Sequence, residues 1–199
     1  KRREGFPLLD PSEFPIDMGS SVALLKELSR LAADSNQTLA QSAEKISQAI
    51  DEGSLDASAL FSKVLTGDDA YLDDLADDLN LDNKVLAFAA YCSMRPSLIA
   101  CSEQLATLHL DKDFIWGKGY CPVCGSPPSL SILRGEEGQR SLVCTLCACE
   151  WRTMRIGCPF CGNKDQKRLA YFFSQTEKDC RVDVCDSCGK YIKTIDTRQ

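Results

Sequence analysis

Three stretches near the end of the chain decide how it is read: GYCPVCGSPP (Gly119–Pro128), RSLVCTLCACEWRTMRIGCPFCGN (Arg140–Asn163) and RVDVCDSCGKYIKTID (Arg181–Asp196). They hold four Cys-x-x-Cys pairs: Cys121 and Cys124, Cys144 and Cys147, Cys158 and Cys161, Cys185 and Cys188. One such turn aims two sulfurs at a common point, and two turns close a tetrahedral cage with metal–sulfur distances of about 2.3 Å for zinc. Four pairs predict two metal ions. Between Cys124 and Cys144 lie 19 residues and between Cys161 and Cys185 lie 23, each about a hairpin in length, so the pairs are expected to close in sequence order. The other pairing, with the middle turns sharing one ion, leaves the outer turns to close a far longer loop. All-sulfur tetrahedral ligation suits zinc and rubredoxin-like iron alike, so the metal's identity stays open.

Working outward, the strands around these turns read as two small ribbons. Leu130, Ile132, Leu142 and Val143 predict the first hairpin, turning at Arg134–Gly138; Leu169–Phe173, Arg181–Val184 and Tyr191–Ile195 predict the second. Glu150, Trp151, Arg152 and Arg155 lie between the ribbons and are candidate partner-binding residues; the two arginines either meet a partner's carboxylate or satisfy Glu150. Cys149 and Cys180 fall outside the pairs and read as spectator thiols, the alternative being a redox pair.

Upstream the pattern changes to helix. Residues 20–110 carry apolar residues at helical spacing, among them Leu24, Leu25, Leu28 and Leu31, then Leu39, Ala43, Ile46 and Ile50. Gly53 closes the second helix, and Asp56–Leu65 and Asp68–Leu79 read as two shorter ones. Asp73, Asp74, Asp77 and Asp78 form an acidic, solvated face. Arg95-Pro96 predicts a break, with Pro96 in the first turn of a new helix. Cys92 and Cys101 read as small buried hydrophobes. Residues 1–19, with Pro7, Pro11 and Pro15, are expected to form an extended arm across the helices, anchored by Phe6, Leu8, Leu9 and Phe14. Lys1-Arg2-Arg3 is not followed by the apolar run of an export signal, and the chain starts without Met, so upstream sequence is expected to be missing. Residues 111–119 are a junction whose Phe114, Ile115 and Trp116 are expected to dock the cysteine module onto the helices.

The division is therefore arm 1–19, helical domain 20–110, junction 111–119, first ribbon 120–155 and second ribbon 156–199, an α+β chain. At 44% hydrophobic, 199 residues suffice for one core and a smaller module. Twelve cysteines, eight of them set as metal-type doublets, with no segment reading as a signal peptide or membrane span, point to a reducing cytoplasm rather than a disulfide framework. Residues 1–110 hold 9 basic and 18 acidic side chains, the remainder 14 and 11. Eight thiolates on two divalent ions cancel that basic excess, which disfavours a nucleic-acid surface. His109 is the single histidine, so most general acid–base chemistry lacks its usual carrier.

The stretches quoted above resemble the FdhE family of formate dehydrogenase accessory proteins, and the Arg95-Pro96 break and the PLLDPSEFPID arm (Pro7–Asp17) resemble it more diffusely. The resemblance implies a helical domain followed by two rubredoxin-like ribbons, ligated by the eight paired cysteines. It implies a cytoplasmic, non-enzymatic protein that engages the molybdopterin-carrying catalytic subunit of formate dehydrogenase during maturation. Glu150, Trp151 and Arg155 match the connecting motif, whereas Cys149 stands where the family has a small hydroxyl residue. The family also has an upstream part beyond this chain. The alternative is a rubredoxin-like iron protein passing electrons to the maturing enzyme or sensing oxygen for it. Oligomeric state is left open.

Overall fold

The computed structural model describes residues 4–33, 37–110 and 114–198, and shows five helices followed by one six-stranded sheet. Lys1-Arg2-Arg3 and the start of the junction, residues 111–113, lie outside the described residues. The chain divides into two compact units: Pro11–Ala100, and Cys101–Gln199 together with the arm up to Asp10.

The first unit is helical, and its last helix continues past Ala100 into the second. Helix α1 spans Met18–Ala33, α2 Gln37–Asp51, α3 Ala57–Thr66, α4 Asp69–Asp78 and α5 Asn83–His109. The expected boundaries of α3 and α4 follow from side-chain caps. Asp56 accepts from the amides of Ser58 and Ala59, and Asp68 from that of Tyr71, satisfying donors that the first turn cannot pair internally. Gly67, at φ 67°, ends α3 in the left-handed region that glycine occupies without strain. The stripe that α1 buries is Ser21, Leu25 and Ser29, at four-residue spacing; Leu31, expected inward, is 70% exposed because it lies off that stripe. On α2, Ala43, Ile46 and Ala49 are buried while Leu39 is exposed. Lys26 on α1 pairs with Asp51 on α2 at 2.5 Å. The four aspartates of α4 are exposed, opposite buried Leu72 and Ala76.

Helix α5 corrects the expected break. Pro96 sits inside a continuous helix of 27 residues, held by the buried stripe Leu86, Ala90, Met94 and Leu98. Proline removes one backbone donor, and that packing offsets the loss. Phe88 lies off the stripe and is exposed, and Cys92 and Cys101 are half-buried rather than buried. Desolvation raises the pKa of both thiols, and at Cys92 the nearby Arg95 opposes the rise. By length and composition α5 also passes for a membrane-crossing helix, the one such helix among the described residues. The sequence reading had found none.

The second unit holds the two expected ribbons joined in one sheet. Strands β1 (Pro128–Arg134) and β2 (Gln139–Cys144) form the first hairpin, and β4 (Leu169–Phe173), β5 (Cys180–Cys185) and β6 (Tyr191–Asp196) the second. Their sheet runs β3-β2-β1-β6-β5-β4, and the ribbons meet where β1 pairs in parallel with β6 from Leu130↔Lys193 to Leu133↔Asp196. Glu150–Arg152, expected as a connector, is itself a short strand, β3, pairing antiparallel with β2. The arm meets the helices in its second half, where Phe14 is buried and the Asp17 amide donates to Ser97 Oγ at 3.2 Å, and departs from expectation in its first. Leu8 and Leu9 donate to the carbonyls of Pro122 and Val123 at 3.1 and 2.9 Å, and the Tyr120 hydroxyl donates to the Gly5 carbonyl at 2.6 Å. Those unpaired knuckle carbonyls fix the arm to the cysteine module, leaving Phe6 61% exposed.

Candidate metal centres

All four Cys-x-x-Cys turns share one backbone plan. The amide of each first cysteine donates five residues ahead: Cys121 to Ser126, Cys144 to Cys149, Cys158 to Asn163 and Cys185 to Lys190, at 2.8–3.0 Å. The residue after each second cysteine is left-handed: Gly125 at φ 77°, Ala148 at 56°, Gly162 at 73° and Gly189 at 68°. Three turns use glycine there and one uses alanine, which lacks glycine's freedom at positive φ. The remaining amides point at sulfur, as with Val123 to Cys121 Sγ at 3.4 Å and Leu146 to Cys144 Sγ at 3.3 Å.

The turns come together in sequence order. Cys121, Cys124, Cys144 and Cys147 form one cluster and Cys158, Cys161, Cys185 and Cys188 the other, the four sulfurs of each lying within 4.8 Å of one another. Sulfur pairs stand 3.7 Å (Cys121–Cys147), 3.4 Å (Cys124–Cys144), 3.6 Å (Cys158–Cys188) and 3.7 Å (Cys161–Cys185) apart. A tetrahedron with metal–sulfur bonds of about 2.3 Å has edges of about 3.8 Å, so both clusters fit a zinc or iron ion. Free of metal, the sulfurs divide protons unevenly. Hydrogen bonding among the thiols raises the Cys121 pKa and lowers that of Cys124. Burial pushes Cys158 up to about 12; at Cys185 burial acts upward too but is outweighed by the Cys188 and Ser187 amides, which bring it to about 6.

Neither cluster includes Cys149 or Cys180. Cys149 is buried with its Sγ 3.7 Å from the Glu150 carbonyl, and Cys180 is exposed at the start of β5. Cys149 abuts β3, four strand steps from β5, a separation of about 19 Å that rules out a disulfide between them.

The four residues between the ribbons part company. Glu150 is held by Arg134, not by Arg152 or Arg155, in a two-pronged pair at 3.1 and 2.9 Å that keeps its carboxyl below the usual range. Trp151 is 4% exposed, and its indole N–H has no hydrogen-bond partner among the described residues. The Arg152 carbonyl accepts from the Trp116 amide at 2.9 Å, adding the junction beside β3. Trp116 is buried with its indole donating to Tyr120 O at 2.7 Å, whereas Ile115 is half exposed. Glu150, Trp151 and Arg152 line a cavity of about 520 Å³ with Phe114 and Trp116. Arg155 lines a different cavity, of about 310 Å³, with Arg140, Arg181 and Asp183. The sequence reading passed over these last three. The available signal was alternation: Arg140 shares the β2 face of Leu142 and Cys144, where an apolar side chain is the rule.

Comparison with known proteins matches residues 120–155 to the model of the FdhE central domain. The chain is 34% identical over 122 residues to the "Protein FdhE homolog" of Aquifex aeolicus, spanning 60% of this chain and 42% of that one. It is 40% identical over 82 residues to the homolog from Pseudomonas aeruginosa, spanning 37% and 26%. The crystal structure of the FdhE protein from Pseudomonas aeruginosa superposes with a TM-score of 0.64 at 25% identity, covering 98% of this chain and 63% of that chain. The matches to the two homologs thus span less than half of each one's length.

Proposed function

We propose that the chain, similar as it is to FdhE proteins over both its cysteine clusters and its fold, is itself an FdhE-type binding protein for the maturation of formate dehydrogenase, not an enzyme. It holds the immature, molybdopterin-dependent catalytic subunit in the cytoplasm. The observation that carries this reading is the pair of four-cysteine clusters built into one sheet in a chain similar to those proteins. Cys121, Cys124, Cys144 and Cys147 would hold one ion, and Cys158, Cys161, Cys185 and Cys188 the other. Bound there, the ions supply folding free energy to small ribbons with little core of their own. The cavity lined by Trp151, Arg152 and Glu150 supports a partner surface, since its wall includes the guanidinium of Arg152, a residue type that anchors interfaces.

Co-purification of the full chain with the catalytic subunit, produced without its cofactor, tests this reading. The complex is expected to form and to be lost when Arg152→Glu reverses charge at the cavity. Failure of the native chain to form the complex refutes the reading, and a complex indifferent to the substitution refutes the surface.

A second reading, of one cluster as an iron redox site, has its own support in the exposure of Cys161, which opens the second cluster to an electron partner. Metal content and a visible spectrum on protein purified without oxygen separate the two. Two zinc ions and no visible bands exclude the redox role; stoichiometric iron with bands that bleach on reduction supports it.

A further inference from the structure

The cavity between the two ribbons presents three guanidinium groups to one carboxylate. Arg140, on β2, is 6% exposed; its Nε donates to Ser131 Oγ at 2.9 Å and its Nη1 to the Gly157 carbonyl at 2.8 Å. Its Nη2 has no hydrogen-bond partner among the described residues, where the acidic oxygen paired with it is Asp183 Oδ2 at 3.5 Å. Arg181 Nε, also buried, stands 3.0 Å from Asp183 Oδ1 yet makes no hydrogen bond. Asp183 is already engaged, because its Oδ2 accepts from Thr194 Oγ1 at 2.6 Å. Arg155, the third cation, makes no ion pair among the described residues.

A buried guanidinium donor without an acceptor is costly. We propose that this cavity of about 310 Å³, lined by Arg140, Arg155, Arg181, Asp183 and Tyr171, is a binding site for a carboxylate. Two coplanar oxygens match donors presented by planar guanidinium groups. The Tyr171 ring, 4.8 Å from the Arg181 guanidinium carbon, holds that group in place. Because Arg140 and Ser131 belong to the first ribbon and Arg181, Asp183 and Thr194 to the second, the anion completes a polar seam across the β1–β6 junction. The carboxylate comes either from a small free acid or from an aspartate or glutamate side chain of a partner. The inference does not depend on the maturation role.

The test is NMR observation of the arginine side-chain N–H signals of the metal-loaded full chain during titration with acetate, against chloride at equal ionic strength. Arg140 and Arg181 are expected to shift saturably with acetate alone. Arg181→Gln is expected to weaken acetate binding by about tenfold or more, the worth of a charged hydrogen bond, while two metals per chain are retained. If that variant fails to fold, Arg155→Gln, at an exposed position, is expected to weaken binding in the same direction. Capped aspartate (N-acetyl-aspartate amide) distinguishes the sources: binding comparable to acetate assigns the site to acidic side chains, and exclusion assigns it to small free acids. An absent or chloride-matched response, or affinity unchanged in the folded variant, overturns the proposal.

Discussion

In the first cluster every cysteine is buried, from Cys121 at 0% to Cys124 and Cys144 at 3%, whereas in the second Cys161 is exposed and Cys188 half-buried. The backbone plan of the turns is the same in both, so the difference comes from what covers them. The first cluster has the arm hydrogen-bonded along its first turn and β3 with the junction beside its second. The second lies in the ribbon that ends the sheet at β4, an edge strand whose Tyr171, Phe172 and Phe173 are 57–64% exposed. Burial protects a metal–thiolate bond from water and competing ligands, so the first site is expected to be the structural anchor and the second the exchangeable one.

The largest expected effect comes from removing one ligand at each site. Cys124→Ser is expected to destabilise the cysteine unit by about 3 kcal/mol or more, since it breaks a buried cage whose metal contributes folding free energy directly. Cys161→Ser, at an exposed ligand, is expected to cost less and to leave the first site loaded. Thermal melts with metal analysis check both. A chelator is expected to draw metal from the second site first; equal rates at the two sites would break the comparison.

The sites are also expected to be mechanically joined. An ideal Cβ on Gly119 would lie 1.6 Å from the Pro159 carbonyl oxygen, so the strand entering the first knuckle packs its bare backbone against the second. Gly119→Ala is therefore expected to force these segments apart, at about 3 kcal/mol, and to loosen metal at both sites. Loss confined to one site, read by metal titration of the folded variant, would show that the knuckles are independent.

How much of this was legible beforehand follows the range of the interactions. The cysteine spacing is local, and it predicted the four turns and their sequential closure. The aspartate caps of α3 and α4 are local too, and their boundaries matched within a residue. The pairing of β1 with β6 joins Leu130 to Lys193, which no local pattern encodes, so one sheet was read as two ribbons. The placement of Leu8 and Leu9 was missed for the same reason: their partners are the carbonyls of Pro122 and Val123, and proline spacing says only that the arm is extended. At Pro96 a local rule was overridden by the buried stripe of α5. The arginine cavity depends on Arg140 and Arg181 meeting across three strand steps.

The smallest expected effect isolates the backbone plan from the metal. Gly125, Gly162 and Gly189 take the left-handed conformation at no steric cost, while Ala148 takes it at φ 56° in the buried cluster. A Cβ in that region costs about 1 kcal/mol, so Ala148→Gly should relieve strain, with glycine's greater freedom in the unfolded chain subtracting part of the gain. The net expectation is a stabilisation of about 0.5 kcal/mol, read as a raised melting temperature for the metal-loaded protein. The converse substitution, Gly162→Ala in the second cluster, meets nothing within 4 Å of its new Cβ and is expected to destabilise through backbone strain alone. If Ala148→Gly instead lowers stability, the alanine methyl contributes packing in the first cluster that the exposed second cluster does not need. The contrast between the sites would then extend from the sulfurs to the turns that carry them.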